Sequence, residues 1–364
     1  NITDVGHLTS DQDEGEDKML KGAKREKKTV WEVAEFYIDA FKRDIRKLNI
    51  LKPTFFPRAT DHITQQINLI KNLEEKGYTY FEGGNVYFDT SKLDDYGKLA
   101  RLDLSKDGKA RVEQDKNKKN KHDFVLWFTK SKFQDQGMKW KSPYGTGFPG
   151  WHIECSAMSM KYLGDSFDIH TGGIDLTFPH HENEIAQSEG CSGVAPFVKY
   201  WMHCEHLLVD NEKMSKSKGN FFVLNDLLEK GHDKKAIRYL LLSTHYRQKL
   251  NYSEESIHNA QNIIDRFKEF ISKLKSIEGD NDNPKIKEII ANAKYNFEKG
   301  LDDDLNISVG MAAIFDFMKE INTLISKKEL SRQDALESYN LLMEFDKILG
   351  VLEFMDEKIP DEIV

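Results

Sequence analysis

Residues 151–188 carry many of the side chains in this chain that could do chemistry. Proline fits the first turn of a helix, so a helix is expected to begin at Pro179 and to put His180 and Glu184 on one face, four residues apart. Cys155 lies on an earlier segment that the fold could bring to that face. Cysteine, histidine and glutamate make a three-ligand zinc set with an open fourth position, which is typical of a catalytic zinc site.

Spacing alone leaves alternatives open for this cluster. His181 stands three residues before Glu184 and fits a helix face nearly as well as His180. A single cysteine is also more often a small buried hydrophobe than a metal ligand. A structural zinc module is disfavoured, because two ligands would share one helix and no fourth is obvious; Cys191 and Cys204 receive little weight as fourth ligands.

A second motif lies about thirty residues downstream, where residues 213–217 read KMSKS and Lys218-Gly219-Asn220 follow. Exposed linkers contain the same residue types, so a solvated loop is the simpler interpretation. Apolar runs at residues 207–209 and 221–224 bracket the motif, however, and they favour a mobile cationic loop between two packed segments. Such a loop suits a polyphosphate, because lysine acts as a movable point charge on oxygens that become more negative during phosphoryl or nucleotidyl transfer.

The elements that must position these groups follow from hydrophobic periodicity. Residues 29–48 are predicted to be helical, and a second helix is predicted from a cap at Thr60 or Asp61 to Gly77. Residues 78–88 indicate a hairpin, and residues 123–128 and 165–170 indicate buried strands. Their apolar stripes are Val30, Ala34, Tyr37, Phe41, Ile45 and Leu48 for the first helix, and Ile63, Ile67, Ile70 and Leu73 for the second.

The last third of the chain has only helical periodicity. A pair of helices interrupted by Gly231 is expected over residues 225–242. Four amphipathic helices are then predicted over residues 253–274, 284–297, 309–325 and 331–349, and they would pack as a bundle. The first of these has the stripe Ile257, Ala260, Ile264, Phe267, Ile271 and Leu274.

These motifs together resemble the class I aminoacyl-tRNA synthetases, and specifically the cysteinyl-tRNA synthetases. The resemblance rests on KMSKS, on HTGGIDLTFPHHENE at residues 170–184 and on PGWHIECSAM at residues 149–158. Shorter matches extend it over most of the chain, with the charged middle the loosest part: NITD at 1–4, YWMH at 200–203, HYR at 245–247, NYSEE at 251–255 and DDDLN at 302–306.

The resemblance implies an α/β fold: an incomplete Rossmann-type nucleotide-binding domain with a β-containing insertion, followed by an α-helical bundle. Residues 1–77 would be the rest of the first half of the catalytic domain, residues 78–148 the insertion, and residues 149–206 the second half. Residues 207–250 would hold the KMSKS loop and a stem-contact region. Residues 251–364 would form the bundle on the tRNA-binding side.

The activity implied by the resemblance is ATP-dependent conversion of L-cysteine to cysteinyl-adenylate and its transfer to tRNA(Cys). One Zn²⁺ per chain, bound by Cys155, His180 and Glu184, would recognise the substrate thiolate, and ATP would act with Mg²⁺. Lys213 and Lys216 would be catalytic. Thr3, Trp151 and Asp175 would contact the cysteine substrate. The expected ATP-binding residues are His170, Gly172, Gly173, Lys213, Met214, Ser215, Lys216 and Ser217.

The chain also departs from the family pattern. Members carry a HIGH-type signature and another zinc-binding cysteine upstream of the position matching Asn1, and a small region beyond the position matching Val364. We therefore expect the chain to be part of a longer protein. Two alternatives stay open: a related ligase that joins cysteine to an amino sugar, and a non-catalytic synthetase-like fragment that binds tRNA.

Composition is consistent with an ordinary globular protein of two or three domains, with 364 residues, 39% hydrophobic and 31% charged. The three cysteines do not suggest a disulfide framework, which predicts a cytoplasmic location, and no membrane span is expected. A net charge of −8 argues against unspecific nucleic-acid binding but is compatible with a local basic track for tRNA. The lysine-rich run at 116–121 is predicted to be a solvated loop, and the protein is expected to be a monomer.

Overall fold

The computed structural model describes residues 1–6, 18–102, 115–130 and 137–352. The chain divides into two compact units, one formed by Asn1–Ala40 and Pro53–Cys204 and the other by Phe41–Lys52 and Glu205–Val364. The first unit mixes helices with two sheets, and the second is mainly helical. None of the helices in the described ranges has the length and apolar character that a membrane crossing needs.

The chain begins with helices α1 (Lys18–Glu26), α2 (Val30–Lys47) and α3 (Ile63–Glu75). Thr29 and Glu32 cap α2 reciprocally: the Thr29 hydroxyl accepts from the Glu32 N–H at 3.2 Å, and the Glu32 carboxylate accepts from the Thr29 N–H at 2.8 Å. This confirms the predicted helix over residues 29–48 to within a residue at each end.

The predicted apolar stripe of α2 is wrong in part. Tyr37 and Phe41 are 54% and 46% exposed, whereas Val33 and Ile38, which the prediction left out, are buried. The buried face therefore follows positions 30, 33, 34 and 38, a different set of the same helical period.

The predicted cap of the next helix is also wrong. Thr60 and Asp61 lie within a 3₁₀ turn, Ala59–His62, and α3 begins only after it. The Thr60 N–H and hydroxyl donate to the carboxylate of Asp4 at 2.9 and 2.7 Å, so this residue is bonded to a distant carboxylate instead of capping the helix. The stripe of α3 is largely confirmed: Ile63, Ile70 and Leu73 are buried, and Ile67 is partly buried.

An antiparallel sheet follows in the order β1 (Thr79–Glu82), β2 (Asn85–Phe88), β3 (Phe124–Phe128) and β4 (Phe148–Pro149). Gly83 and Gly84 form the hairpin turn with positive φ angles of 58° and 93°, which glycine adopts without strain. Every residue of β3 is buried, as predicted. Lysines 116–121 lie mainly in turns before β3, and the Lys119 ammonium lies 4.2 Å from the Tyr80 ring centre, which agrees with a loop.

Two helices and two strands complete the first unit: α4 (Trp151–Leu163), β5 (Phe167–Gly173), α5 (His180–Ser192) and β6 (Val198–Cys204). Strands β5 and β6 are parallel, and their register pairs Gly172 with His203. The strand at 165–170 was expected to be buried, and that expectation is wrong. Ile169 is 55% exposed, because β6 is the only strand that pairs with β5 within the described residues.

The second unit starts with a small sheet in which β7 (Leu207–Val209) lies between β8 (Glu212–Lys213) and β9 (Leu250–Tyr252). Helices α6 (Leu224–Glu229) and α7 (Lys234–Leu242) confirm the predicted helix pair around Gly231. The four predicted helices are α8 (Glu254–Lys275), α9 (Ile286–Asp302), α10 (Ile307–Lys327) and α11 (Arg332–Leu349). Their shared core contains Phe267, Phe297, Phe317 and Phe345. Ile271, which was predicted to be in the apolar stripe of α8, is only partly buried, and the neighbouring Phe270 is buried in the core instead.

A polar contact joins two of the motifs in this unit. The Arg247 guanidinium donates from Nε to Oδ2 of Asp304 at 2.6 Å, and the Tyr246 hydroxyl donates to Oδ1 at 2.6 Å. His245 Nε2 lies 3.0 Å from the Asp304 carbonyl oxygen. The segment before β9 is thus bound to the turn between α9 and α10.

Candidate metal centre

Helices α4 and α5 bring together the three residues predicted to bind a metal. Cys155 lies on the second turn of α4, and His180 and Glu184 lie one turn apart at the start of α5. The ligand atoms of these three side chains all lie within 4.8 Å of one another, and His180 Nε2 is 3.1 Å from Glu184 Oε1. All three side chains are buried.

Buried polar contacts fix the relative position of α4 and α5. The Gln187 amide donates to the Ser156 hydroxyl at 3.0 Å, and that hydroxyl donates to the Glu184 carbonyl oxygen at 3.4 Å. On another side of α5, the carboxylate of Glu182 accepts from the backbone N–H groups of Gly97 and Ala100 at 2.8 and 3.0 Å. These contacts satisfy several, but not all, of the polar side chains that α5 buries.

A second group of possible ligands shares Glu184. His170, at the middle of β5, and His181 form it with Glu184, their ligand atoms also lying within 4.8 Å of one another. The His170 Nε2 atom is 3.5 Å from Glu184 Oε1, and its ring lies edge-on to that of His181 at 4.7 Å between centroids. The sequence left the choice between His180 and His181 open; the geometry groups His180 with the cysteine and His181 with His170.

Two further histidines of this cluster were missed by the sequence reasoning. The Nδ1 atom of His152 lies 2.8 Å from Nδ1 of His180, and Nε2 of His203 lies 2.8 Å from Nδ1 of His181. His152 precedes Cys155 by three residues and so shares its helix face, which was a usable signal. His203 belongs to β6, and only the parallel pairing of β5 and β6 brings it to the cluster.

Burial and neighbouring groups shift the pKa values of several side chains in this cluster. Burial raises the pKa of the Cys155 thiol well above its usual value, and the Glu184 and Glu154 carboxylates act in the same direction. Burial also opposes ionisation of Glu184, but the imidazoles of His170 and His180 outweigh it and lower the pKa of this carboxyl. Burial lowers the pKa of His181 to about 3, so its ring is neutral near pH 7.

The residues predicted to contact substrate lie at different distances from this cluster. The Trp151 ring packs on His180 at 4.3 Å between centroids. Asp175 is exposed and follows β5, close enough to Gly173 that a Cβ there would lie 2.4 Å from Asp175 Oδ1. Thr3 is exposed, two residues after Asn1, whose amide donates to Cys155 Sγ at 3.2 Å.

The two other cysteines are not part of either ligand group among the described residues. Cys191 is partly buried near the end of α5, where the Asn72 amide approaches its sulfur at 3.8 Å. Cys204 is exposed at the end of β6. Their low weight as fourth ligands is consistent with these positions.

The KMSKS motif belongs to the second unit and forms an ordered turn. Lys213 ends β8, and residues 216–218 form a 3₁₀ turn that Gly219 closes with a φ of 69°. The Asn220 side chain accepts from the Ser215 N–H at 2.8 Å and donates to the Lys213 carbonyl oxygen at 3.3 Å. Met214 packs on the helical core, while the Lys213 and Lys216 side chains are exposed.

Comparisons with known proteins agree with these motifs. Residues 4–262 match the family described as tRNA synthetases class I (C) catalytic domain, and residues 296–353 match the DALR domain. The chain is 46% identical over 370 residues to the cysteine–tRNA ligase of Treponema denticola, covering 96% of this chain and 73% of that protein. It is 43% identical over 357 residues to the cysteine–tRNA ligase of Chlamydia pneumoniae, covering 97% and 73%.

Among solved structures, the chain is similar to the Mycobacterium tuberculosis methionyl-tRNA synthetase in complex with methionyl-adenylate. The TM-score is 0.61 with 16% sequence identity, over 92% of this chain and 80% of that one. At this level of identity the likeness concerns the fold alone. It supports the predicted α/β architecture followed by helices.

Proposed function

The chain belongs to the cysteine–tRNA ligases among the class I aminoacyl-tRNA synthetases, and we propose that Cys155, His180 and Glu184 bind the zinc ion that selects cysteine in this enzyme. The activity is that of a cysteine–tRNA ligase, which uses ATP to join L-cysteine to tRNA. The observation that carries the zinc proposal is the convergence of one sulfur, one imidazole nitrogen and one carboxylate within 4.8 Å.

The chemistry of the three side chains fits zinc. Sulfur, nitrogen and carboxylate oxygen are its usual protein ligands, and three of them leave one coordination position for a substrate. Glu184 is fully buried, and in the described chain neither of its oxygens accepts a hydrogen bond of normal geometry. A buried carboxylate beside a buried thiol is unfavourable without a compensating charge. A cation among the three ligand atoms would supply that charge.

Bound zinc would supply a borderline-soft Lewis acid, which favours a thiolate ligand over a serine hydroxyl because the hydroxyl is harder and less acidic. This preference would discriminate cysteine from serine at the binding step, since a pocket without such a bond separates similar amino acids poorly. The role of Trp151 would be to cover His180 and limit the access of water. Asp175 and Thr3 are proposed to orient the ammonium group and backbone of the substrate.

The activation step is assigned to the loop that contains Lys213 and Lys216. In this step the carboxylate of cysteine attacks the α-phosphorus of ATP, and pyrophosphate leaves with Mg²⁺. The two exposed ammonium groups would neutralise the charge that develops on the leaving oxygens. Met214, Ser215, Ser217, His170, Gly172 and Gly173 complete the proposed ATP-binding set. A ribose hydroxyl of tRNA(Cys) then attacks the carbonyl carbon of the adenylate, and positioning suffices for that step.

Exchange of labelled pyrophosphate into ATP by the full-length protein tests the zinc proposal. Cys155→Ala and Glu184→Gln should each lose bound zinc and cysteine-dependent exchange. Cys191→Ala is the matched control, because it removes a partly buried thiol outside the cluster, and it should keep both. Full zinc content in the Cys155 and Glu184 variants, or exchange with serine equal to that with cysteine, would exclude the proposed role of the metal.

Two alternatives from the sequence are less well supported. The curated relatives are named as cysteine–tRNA ligases, and residues 296–353 match the DALR domain, so an amino-sugar acceptor has no observation in its favour. Charging assays with tRNA and with an amino sugar separate these two activities directly. A non-catalytic tRNA-binding fragment would show no exchange activity at all.

A further inference from the structure

His152 lies on α4 one helical turn before Cys155, with only 1% of its surface exposed, and its Nδ1 atom is 2.8 Å from Nδ1 of His180. We infer that His152 is a positioning residue, which fixes the tautomer and orientation of His180 so that Nε2 of His180 faces the metal. This inference rests on the proposed zinc site. It concerns a side chain that would not touch the metal, the substrate or the nucleotide.

The pairing of two Nδ1 atoms at hydrogen-bond distance restricts where the protons can be. One of the two nitrogens must donate and the other must accept. His180 Nε2 points to the ligand cluster, 3.1 Å from Glu184 Oε1, and a metal ligand needs its lone pair there. The proton of His180 must then be on Nδ1, and His152 Nδ1 must accept it. A metal-binding histidine normally donates its second N–H to a carboxylate or carbonyl oxygen; here the acceptor is another imidazole.

Aromatic packing holds both rings in this arrangement. Trp151 packs against His180 at 4.3 Å between centroids, and Phe124 lies edge-on to His152 at 5.5 Å with an interplanar angle of 88°. An apolar side chain at position 152 would leave the buried Nδ1–H of His180 without its acceptor. His180 would then rotate or take the other tautomer, which puts the proton on the nitrogen needed by the metal.

A comparison of His152→Leu and His152→Asn in the full-length protein tests the inference. The asparagine amide lies near the position of the lost Nδ1 and keeps an acceptor, whereas leucine does not. Competition with a chelator measures the affinity for zinc, and the visible absorption of the cobalt-substituted protein reports the ligand geometry. We expect His152→Leu to weaken zinc binding about 10- to 100-fold, as outer-shell changes do, and to alter the cobalt spectrum. His152→Asn should keep most of the wild-type zinc affinity and a cobalt spectrum close to that of the wild type.

Three controls separate a positioning role from a general loss of structure. Gln187→Met removes a buried contact between α4 and α5 that involves no proposed ligand side chain, so it should lower the thermal midpoint while weakening zinc binding less than His152→Leu does. His203→Leu, which removes the partner of His181, should affect zinc less than His152→Leu does. If His152→Leu does not fold, His152→Gln replaces it as the comparison variant. The glutamine amide lies farther from the backbone than the asparagine amide, so the His152→Gln protein should bind zinc more weakly than the His152→Asn protein.

The outcomes distinguish this inference from the proposal on which it rests. Wild-type zinc affinity in a folded His152→Leu variant would overturn the positioning role. Equal zinc affinity in His152→Asn and in the variant compared with it, His152→Leu or His152→Gln, would also overturn that role. Zinc binding that also survives Glu184→Gln would instead overturn the metal site itself. A larger loss in His203→Leu than in His152→Leu would move the role to the His181 pair and overturn the inference.

Discussion

Gly172 on β5 lies so close to His181 that a Cβ added to this glycine would lie 2.6 Å from Cε1 and 3.0 Å from Nε2 of the imidazole ring. The contact involves a buried ring whose Nδ1 atom also lies 2.8 Å from Nε2 of His203, so the ring has little room to move. The absence of a side chain at position 172 is therefore required by the histidine cluster.

The contact predicts different effects for two adjacent glycines. Gly172→Ala should displace His181 and disturb Glu184, and we expect about a tenfold or greater loss of zinc affinity, as for other changes around metal ligands. In Gly173→Ala the nearest atom is the end of the Asp175 side chain, which can rotate away. That variant should keep its zinc and show mainly a higher KM for cysteine. Equal zinc content in both variants would contradict the prediction.

Replacement of Lys216 by alanine should slow amino-acid activation without destabilising the protein. Its side chain is exposed and its ammonium lies 5.1 Å from the Phe221 ring centre, so little structure depends on it. Loss of one group that stabilises developing charge lowers a rate by roughly 10²- to 10³-fold. Pyrophosphate exchange measures this effect. Lys218→Ala is the matched control, because Lys218 pairs with Glu212 at 2.8 Å in the same loop and should matter much less.

Phe317 on α10 should be a main contributor to the stability of the helical unit. It is 1% exposed and lies edge-on to Phe270 at 6.2 Å between centroids. Phe317→Ala would leave a cavity and lower the free energy of unfolding by roughly 3–5 kcal/mol. Urea denaturation followed by circular dichroism measures the change. Leu336→Ala on α11, at a side chain that is 50% exposed, should change stability by less than about 0.5 kcal/mol. Similar losses in the two variants would refute this ranking.

The contact between Asp304 and Arg247 predicts a pH dependence. Hydrogen bonds from Arg247 and Tyr246 lower the pKa of the Asp304 carboxyl. The unfolded state therefore takes up the proton first as pH falls, so the stabilisation is present above the usual aspartate pKa of about 3.9 and is lost below it. Asp304→Asn should lower the thermal midpoint at pH 7, and the difference from the wild type should shrink toward pH 3.

Asp302→Asn at the end of α9 controls for the loss of one negative charge in the same region. It should leave the midpoint near that of the wild type at both pH values. If the thermal midpoint of Asp304→Asn stays below that of the wild type by a constant or growing amount as the pH falls, the carboxylate does not stabilise this contact.

Local signals in the sequence were sufficient to predict the helices and strands that have a strong hydrophobic periodicity. The helix that carries His180 and Glu184, the hairpin at Gly83 and the helices after residue 253 all depend on contacts between near neighbours in the chain. The proposed ligands His180 and Glu184 could be grouped from the sequence because they lie one helical turn apart. The third, Cys155, required the resemblance as well as its residue type.

The errors concern features set by distant residues. Thr60 has the side chain of a helix cap, but the carboxylate of Asp4, fifty-six positions away, is its actual partner. The buried face of α2 depends on which elements pack against it, which periodicity does not specify. His203 joins the cluster only through the register of two parallel strands, and register is a tertiary property.

The environment of Cys155 also bears on its chemistry when no ion is bound. Peroxide attacks thiolates that it can reach, and Cys155 is both 7% exposed and held in its protonated form by burial and two nearby carboxylates. Cys204, by contrast, is exposed at the end of its strand. Mild oxidants should therefore modify Cys204 before Cys155. If Cys155 binds the proposed zinc, a newly folded chain would keep this sulfur ligand reduced until the metal binds.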